Sequence, residues 1–366
     1  MKHTMKTARI LLASLFTPVK FFQSIISRST DGSPAGTERV LVWDGWRGMA
    51  ILLVLCGHFY DIGGFWEDRM GVDVFFGLSG MLMSVILFEK RMSLRDFYIR
   101  RLSRIFPVFF VCVLAMFGAG VVLSVDFSWA EFFSSLTFMR TYLPAEPGIW
   151  DSGPTVAHLW SLNVEEHAYI FLSLTTLLFV DRRFIGFGLL VIGFGLALLG
   201  LYRYSQLPES EFRLYIIRTE SAVVFILFSA GYGLLARYYN VSVPKAMPVV
   251  CLLLALCCYL DVTPLWFVSS VSPVLLALAV NHISDMPAFA KSLLSNSVVR
   301  YFGLWSYSIY LWQQIFFENA WRLPGGRFTA VLLAILTGVI SYYVLEQPMR
   351  RWINNKWSPK PRYRTS

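Results

Sequence analysis

The stretch WDGWRGMAILLVLCGHF, Trp43 to Phe59, decides the fold. It has the length and apolar bulk of a membrane helix, yet it holds an arginine and a histidine. A mid-helix arginine in hydrocarbon costs about 2.5–3.5 kcal/mol on insertion scales. Arg47 and His58 stand eleven positions apart, which is three helical turns plus about 20°. They therefore share one face, about 16 Å apart along the axis. Taken singly, Arg47 can snorkel to the interface and His58 can be a satisfied core histidine. Two ionisable groups on one stripe favour a functional reading.

The rest of the chain supports the membrane setting. Of its 366 residues 56% are hydrophobic and only 15% charged, against about 25% charged in soluble domains. The apolar excess is gathered into long runs, which reads as a polytopic, all-α bundle. Ten segments of roughly membrane length fall near 43–60, 71–89, 106–125, 158–180, 184–201, 215–236, 246–261, 264–283, 299–318 and 328–346. With both termini on the cytoplasmic side, 24 Lys and Arg lie in inside flanks and six in outside loops, as the positive-inside rule requires. Those flanks account for the net charge of +9, so no nucleic-acid partner is implied. The five cysteines sit in apolar runs without CxxC spacing; neither a metal site nor a disulfide framework is expected. No internal repeat marks an inverted-repeat transporter. Residues 1–40 read as a basic amphipathic arm, through Thr30, lying on the membrane surface, together with the polar linker DGSPAGT, and without a signal-cleavage site. The membrane domain is expected over 41–351 and a basic cytoplasmic tail over 352–366.

Several polar constellations interrupt the apolar runs. In GVDVFFGLSGMLM, Asp73 can orient a cation such as a protonated histidine, or cap the helix; alone, capping is the simpler reading. FYIRRLSRIFP places Arg101 and Arg104 at i and i+3 before Pro107. They suit phosphates, although an ordinary basic flank explains them equally well in isolation. HLWSLNVEEHAYIF puts His158 and Glu165 on one helical face, with Glu166 and His167 pointing elsewhere. Adjacent carboxylates inside an apolar run favour function over solvation, since a carboxylate can fix a histidine's tautomer. Tyr310, Gln313 and Gln314 lie in the aromatic run YFGLWSYSIYLWQQIFF and can line a polar cavity; Glu346, Arg350 and Arg351 read as a cytoplasmic helix end.

Taken in order, DGWRGMAILLVLCGH, GVDVFFGLSG, RRLSRIFP, HLWSLNVEE, SYSIYLW and YYVLEQPMRR resemble the motifs of the integral-membrane acyltransferase-3 family over about residues 43–351. This is a family of bacterial membrane O-acyltransferases of surface glycans. The resemblance implies one helical domain of about ten spans in the cytoplasmic (inner) membrane. It implies acetyl-CoA or another acyl-CoA as donor substrate, no permanently bound cofactor, and a glycan or lipid-linked sugar such as O-antigen or exopolysaccharide as acceptor. Position by position, His58 matches the family's catalytic candidate and Arg47 its first-span arginine. Arg101 and Arg104 match the donor-binding pair, Glu165 the carboxylate after WSLxV, and Asp44 and Asp73 the acidic positions of the first two motifs. His58 is then expected to act as a base oriented by Glu165 or Asp73, with Arg47 stabilising negative charge. Asp44, His158, Glu166, Tyr310 and Gln313 are expected to line the cavity. Two positions depart from the pattern: the residue after YLW, often histidine, is Gln313, and the residue after VEE, often glutamine, is His167. Many members carry an appended periplasmic esterase-like domain, so this chain is expected to act alone or with a separate partner. A flippase for a lipid-linked sugar and a non-catalytic subunit of a polysaccharide machine are the alternatives from other functional classes.

Overall fold

Helix α1 runs from Pro34 to Phe59, 26 residues in all. Half of the expected linker is thus helical, because proline suits the first helical turn: its φ is preset and its missing N–H would have no partner there. The computed structural model describes residues 34–60, 63–146, 148–151, 153–178 and 181–357. Residues 1–33, which hold the expected amphipathic arm and the start of the linker, and the tail beyond 357 lie outside the described residues. After α1 come α2 (Glu67–Met83), prolonged by a π-helical turn Ser84–Glu89, and α3 (Leu94–Val122). The short α4 (Trp129–Leu136) precedes α5 (Trp160–Leu178), which is entered through the 3-10 turn Ala157–Leu159. Next are α6 (Arg182–Gln206), α7 (Glu209–Tyr215), α8 (Thr219–Tyr238), α9 (Met247–Cys257), α10 (Trp266–Ser270) and α11 (Ser272–Asn281). The chain closes with α12 (Ala288–Leu294), α13 (Ser297–Glu318), α14 (Gly326–Ser341), a π turn Tyr342–Glu346 and α15 (Gln347–Trp357).

Among the described residues, five stretches are long and apolar enough to cross a membrane: Glu67–Glu89, Leu94–Val122, Arg182–Gln206, Thr219–Tyr238 and Gly326–Trp357. Helices α1, α5 and α13, with 26, 19 and 22 residues, reach comparable length but carry most of the polar residues singled out above. Outward-facing Val122, Leu178, Phe184 and Val191 are each at least 68% exposed, as lipid contact requires. The chain is a multi-pass, all-α membrane protein. The seventh and eighth expected segments differ. Helix α9 has 11 residues, about 16 Å against a hydrocarbon core of about 30 Å. Segment 264–283 is broken into α10 and α11. Thr263 turns the chain here, its N–H donating to the Leu260 carbonyl and its hydroxyl to that of Cys257, both at 2.8 Å.

Helix α3 begins well before the expected boundary at 106. Ser93 caps it by accepting the Asp96 N–H at 3.1 Å, so Arg100, Arg101 and Arg104 ride on the helix itself, and Pro107 lies inside it. The Ser103 hydroxyl reaches Asn354 at 3.1 Å, tying α3 to α15.

The centre of the fold is α1, packed between α2 and α13. A Cβ at Gly57 would stand 2.4 Å from the Asp68 nitrogen, one at Gly71 2.6 Å from the Ala50 carbonyl oxygen, and one at Gly303 1.8 Å from that of Asp44. Backbones come this close only where side chains are missing. A buried ion pair fastens α2 on its other side. Asp73 is fully buried and accepts from Arg69 at 2.8 Å and from the Tyr259 hydroxyl at 2.9 Å. Arg69 also donates to the Ile216 carbonyl at 3.1 Å and lies over the Trp160 ring. Asp73 therefore braces four segments and does not orient His58.

Three outcomes are expected in thermal melts of detergent-purified protein. Gly303→Ala should lose about 1–3 kcal/mol through overpacking. Gly195→Ala, at a helical site with nothing within 4 Å, should gain up to about 1 kcal/mol. Asp73→Ala, which strands the Arg69 guanidinium, should cost about 3–5 kcal/mol.

Candidate active site

A cavity of ≈ 310 Å³ opens between α1, α2, α3, α5, α13 and α15. Five arginines line it: Arg47 from α1, Arg100, Arg101 and Arg104 from α3, and Arg350 from α15. Arg100, Arg104 and Arg350 form no ion pair among the described residues. Guanidiniums without carboxylate partners, gathered around one cavity, make a seat for a polyanion. Arg350 was legible only as a helix end; the π turn before α15 brings it beneath the cavity.

Arg101 is the rigid member of the group. It donates to Glu166 through two nitrogens, at 2.7 and 3.3 Å, lies 3.8 Å from Glu165, and stacks 3.3 Å from the Tyr169 ring centroid. Glu165 also accepts from the Ser79 hydroxyl at 2.5 Å. Both carboxylates thus hold Arg101, and Glu165 is not the partner of His58. The reason is depth: Glu165 sits two turns, about 10 Å, further along its helix than His158. Arg47 faces Asp44 at 3.4 Å, which places Asp44 behind the cavity wall as a partner of that arginine.

His58 stands at the far end of α1. Its Nδ1 lies 2.8 Å from Gln313 Oε1, its Nε2 3.6 Å from Asp68 Oδ2, and its ring stacks on Phe317 at 5.0 Å. Nothing in the sequence ties Asp68, in the stretch EDRM, to a histidine ten residues earlier. Only the α1–α2 crossing brings it to His58.

A layer of hydroxyls and a second histidine joins the two regions. Tyr310 and Ser161 both line the arginine cavity and share a 2.6 Å hydrogen bond. The Tyr310 hydroxyl also reaches the His158 carbonyl at 2.7 Å. The buried His158 ring sits edge-on to Tyr310, with neither nitrogen in a hydrogen bond of normal geometry. Tyr310 and Gln313, three residues apart, lie on neighbouring turns of α13. Ser161 and Tyr310 thus stand at the cavity wall, and one turn of α13 further on Gln313 holds His58.

A second cavity, ≈ 370 Å³, lies beyond the start of α2 and is lined by Trp66, Tyr204, Glu209, Arg213, Asp261 and Thr263 among others. Its wall is pinned by the Trp66 N–H on the Tyr259 carbonyl and the Asp261 N–H on the Gly64 carbonyl, both at 3.0 Å. The arginine cavity touches α2 from Val72 onward and reaches Ile86, so the two cavities occupy opposite ends of that helix.

The peptidoglycan O-acetyltransferase OatA of Listeria monocytogenes is 25% identical over 365 residues, covering 84% of this chain and 55% of the relative. A Staphylococcus aureus protein with a provisional O-acetyltransferase name (SACOL0978) is 23% identical over 346 residues, covering 84% and 57%. Bacillus subtilis YrhL, provisionally named a peptidoglycan O-acetyltransferase, is 26% identical over 362 residues, covering 84% and 54%. The chain thus spans a little over half the length of these relatives. No solved structure matches it significantly. The family model described as "Acyltransferase domain" matches residues 41–347, which takes in α2 to α14 and nearly all of the site just described, and the chain belongs to this acyltransferase-3 family.

Proposed function

We propose that the protein moves an acyl group, acetyl in the first instance, from acyl-CoA to a hydroxyl of a cell-surface glycan. The observation that carries this reading is the arginine cavity, with His58 held by Gln313 one helical turn beyond Tyr310 of the cavity wall. The phosphates of CoA suit Arg100, Arg101, Arg104 and Arg350, and the acylated arm is long enough to pass toward the Tyr310 layer. The acceptor oxygen attacks the thioester carbonyl while His58 Nε2 takes its proton. The tetrahedral intermediate then expels the CoA thiolate, which recovers that proton from His58, so an ester and free CoA leave. Asp68, 3.6 Å from Nε2, offsets the positive charge that the ring carries between the two steps. Arg47, at the cavity wall, supports the donor's negative charge.

The basic flanks support an orientation with the arginine cavity on the cytoplasmic side of a bacterial cytoplasmic membrane, where CoA thioesters are made. His58 and the second cavity then face the opposite side, where surface glycans are assembled. In that second cavity the rings of Trp66 and Tyr204 suit the apolar face of a sugar, and Glu209 and Asp261 suit its hydroxyls. The peptidoglycan acetyltransferase names of two relatives support a glycan acceptor.

In the host, His58→Ala should bring glycan O-acetylation, measured by mass spectrometry, down to the level of a deletion strain at normal protein abundance. Undiminished acetylation would remove His58 from the mechanism. The double variant Arg101→Ala/Arg104→Ala should weaken competition by free CoA against labelled acetyl-CoA in membranes by about tenfold or more, a loss of about 1.4 kcal/mol. Unaltered competition would show that the donor binds elsewhere.

A further inference from the structure

Gln313 has no role in the scheme above, yet it is the residue held most closely by His58. It is fully buried, on the face of α13 that the Gly303 crossing presses against α1. A carboxamide oxygen can only accept a hydrogen bond. With the amide turned as it is in the structure, oxygen toward the ring, the 2.8 Å contact between Gln313 Oε1 and His58 Nδ1 puts the proton of the neutral ring on Nδ1. The lone pair is then on Nε2, the nitrogen turned toward Asp68. Asp68 is 46% exposed, so this is the side from which an acceptor hydroxyl arrives. Phe317, one turn beyond Gln313, stacks on the same ring and sets its plane.

We infer that Gln313 is a positioning residue that holds His58 in its Nδ1–H tautomer, so that Nε2 is the nitrogen that accepts the proton. This rests on the reading of His58 as the base and specifies how that base is prepared. A histidine free in water favours the opposite tautomer, with the proton on Nε2, in which the nitrogen facing the acceptor would have no lone pair. Which tautomer a buried histidine adopts is decided by the hydrogen bond at its other nitrogen. A neutral amide does this without placing a second charge in a dry site, where a carboxylate would need its own partner.

The experiment is solid-state NMR of the ¹⁵N-histidine-labelled full chain in lipid bilayers, at a pH where the ring is neutral. The His58 signals are assigned by their loss in His58→Gln. In the wild type Nδ1 should be protonated and Nε2 not. Gln313→Glu, which keeps an acceptor oxygen, should preserve that pattern, and Gln313→Leu should move the proton to Nε2. Membranes given [1-¹⁴C]acetyl-CoA and the host's cell-wall glycan fraction should show kcat falling on the order of 10- to 100-fold in Gln313→Leu. The KM for acetyl-CoA should stay within about twofold, and Gln313→Glu should recover most of the rate. A wild-type ring protonated on Nε2, or a tautomer indifferent to Gln313→Leu, overturns the inference. The wild-type spectrum decides even where Gln313→Leu does not fold. Expected spectra together with normal transfer by His58→Ala would remove His58 as the base, and no transfer by wild-type membranes would overturn the acyl-transfer reading instead.

Discussion

The close approach of α1 to its two neighbours is the constraint on which the rest depends. Helices in contact usually keep their axes 8–10 Å apart because side chains stand between them. At Gly57, Gly71 and Gly303 no side chain intervenes, and a Cβ would fall on the backbone of the facing helix. Gly57 brings the Asp68 end of α2 to His58, and Gly303 brings α13 close enough for Gln313 to reach the imidazole. Separating α1 from α13 by the width of a methyl group would stretch the 2.8 Å hydrogen bond between His58 and Gln313 beyond use.

The second organising force is the cost of charge in hydrocarbon. An ionisable group there needs an internal partner or a polar cavity. Arg69 has Asp73, Arg101 has Glu166, and Arg237 bonds Glu89 and Asn281. Arg100, Arg104 and Arg350 break this pattern, and all three line one cavity. Unpaired guanidiniums beside space point to an anion, whereas paired ones brace the bundle. Arg101 combines the two conditions: it lines the cavity while Glu166 and Tyr169 hold its plane.

Much of this was legible in one dimension. The polar interruptions of apolar runs marked α1, α3, α5 and α13 as special, since hydrocarbon makes such residues rare. The eleven-residue spacing placed Arg47 and His58 on one stripe, and both occur where that stripe predicts, one at the arginine cavity and one at the far end of α1. What failed was the pairing. Glu165 and Asp73 were the natural carboxylates for His58, but one holds Arg101 and the other Arg69. Spacing orders residues along their own helix; it carries no information about the face that a different helix presents. The short α9 and the broken α10–α11 segment escaped for a related reason. Apolar runs of spanning length fold back where turn hydrogen bonds, such as those of Thr263, meet buried surface.

By itself the sequence determined that this is an all-α membrane protein of the acyltransferase-3 family, which residues are chemically expensive, and which helices hold them. Those properties follow from composition, helical period and ordered motifs, all of them local. Tertiary structure alone decided that Asp68 and Gln313 are the partners of His58, that Arg350 joins the α3 arginines, and that Asp73 is a brace. These are contacts between residues up to 255 positions apart. They exist because glycine-lined helix crossings and the pairing of buried charge choose one packing of the helices, a choice that no single helix records.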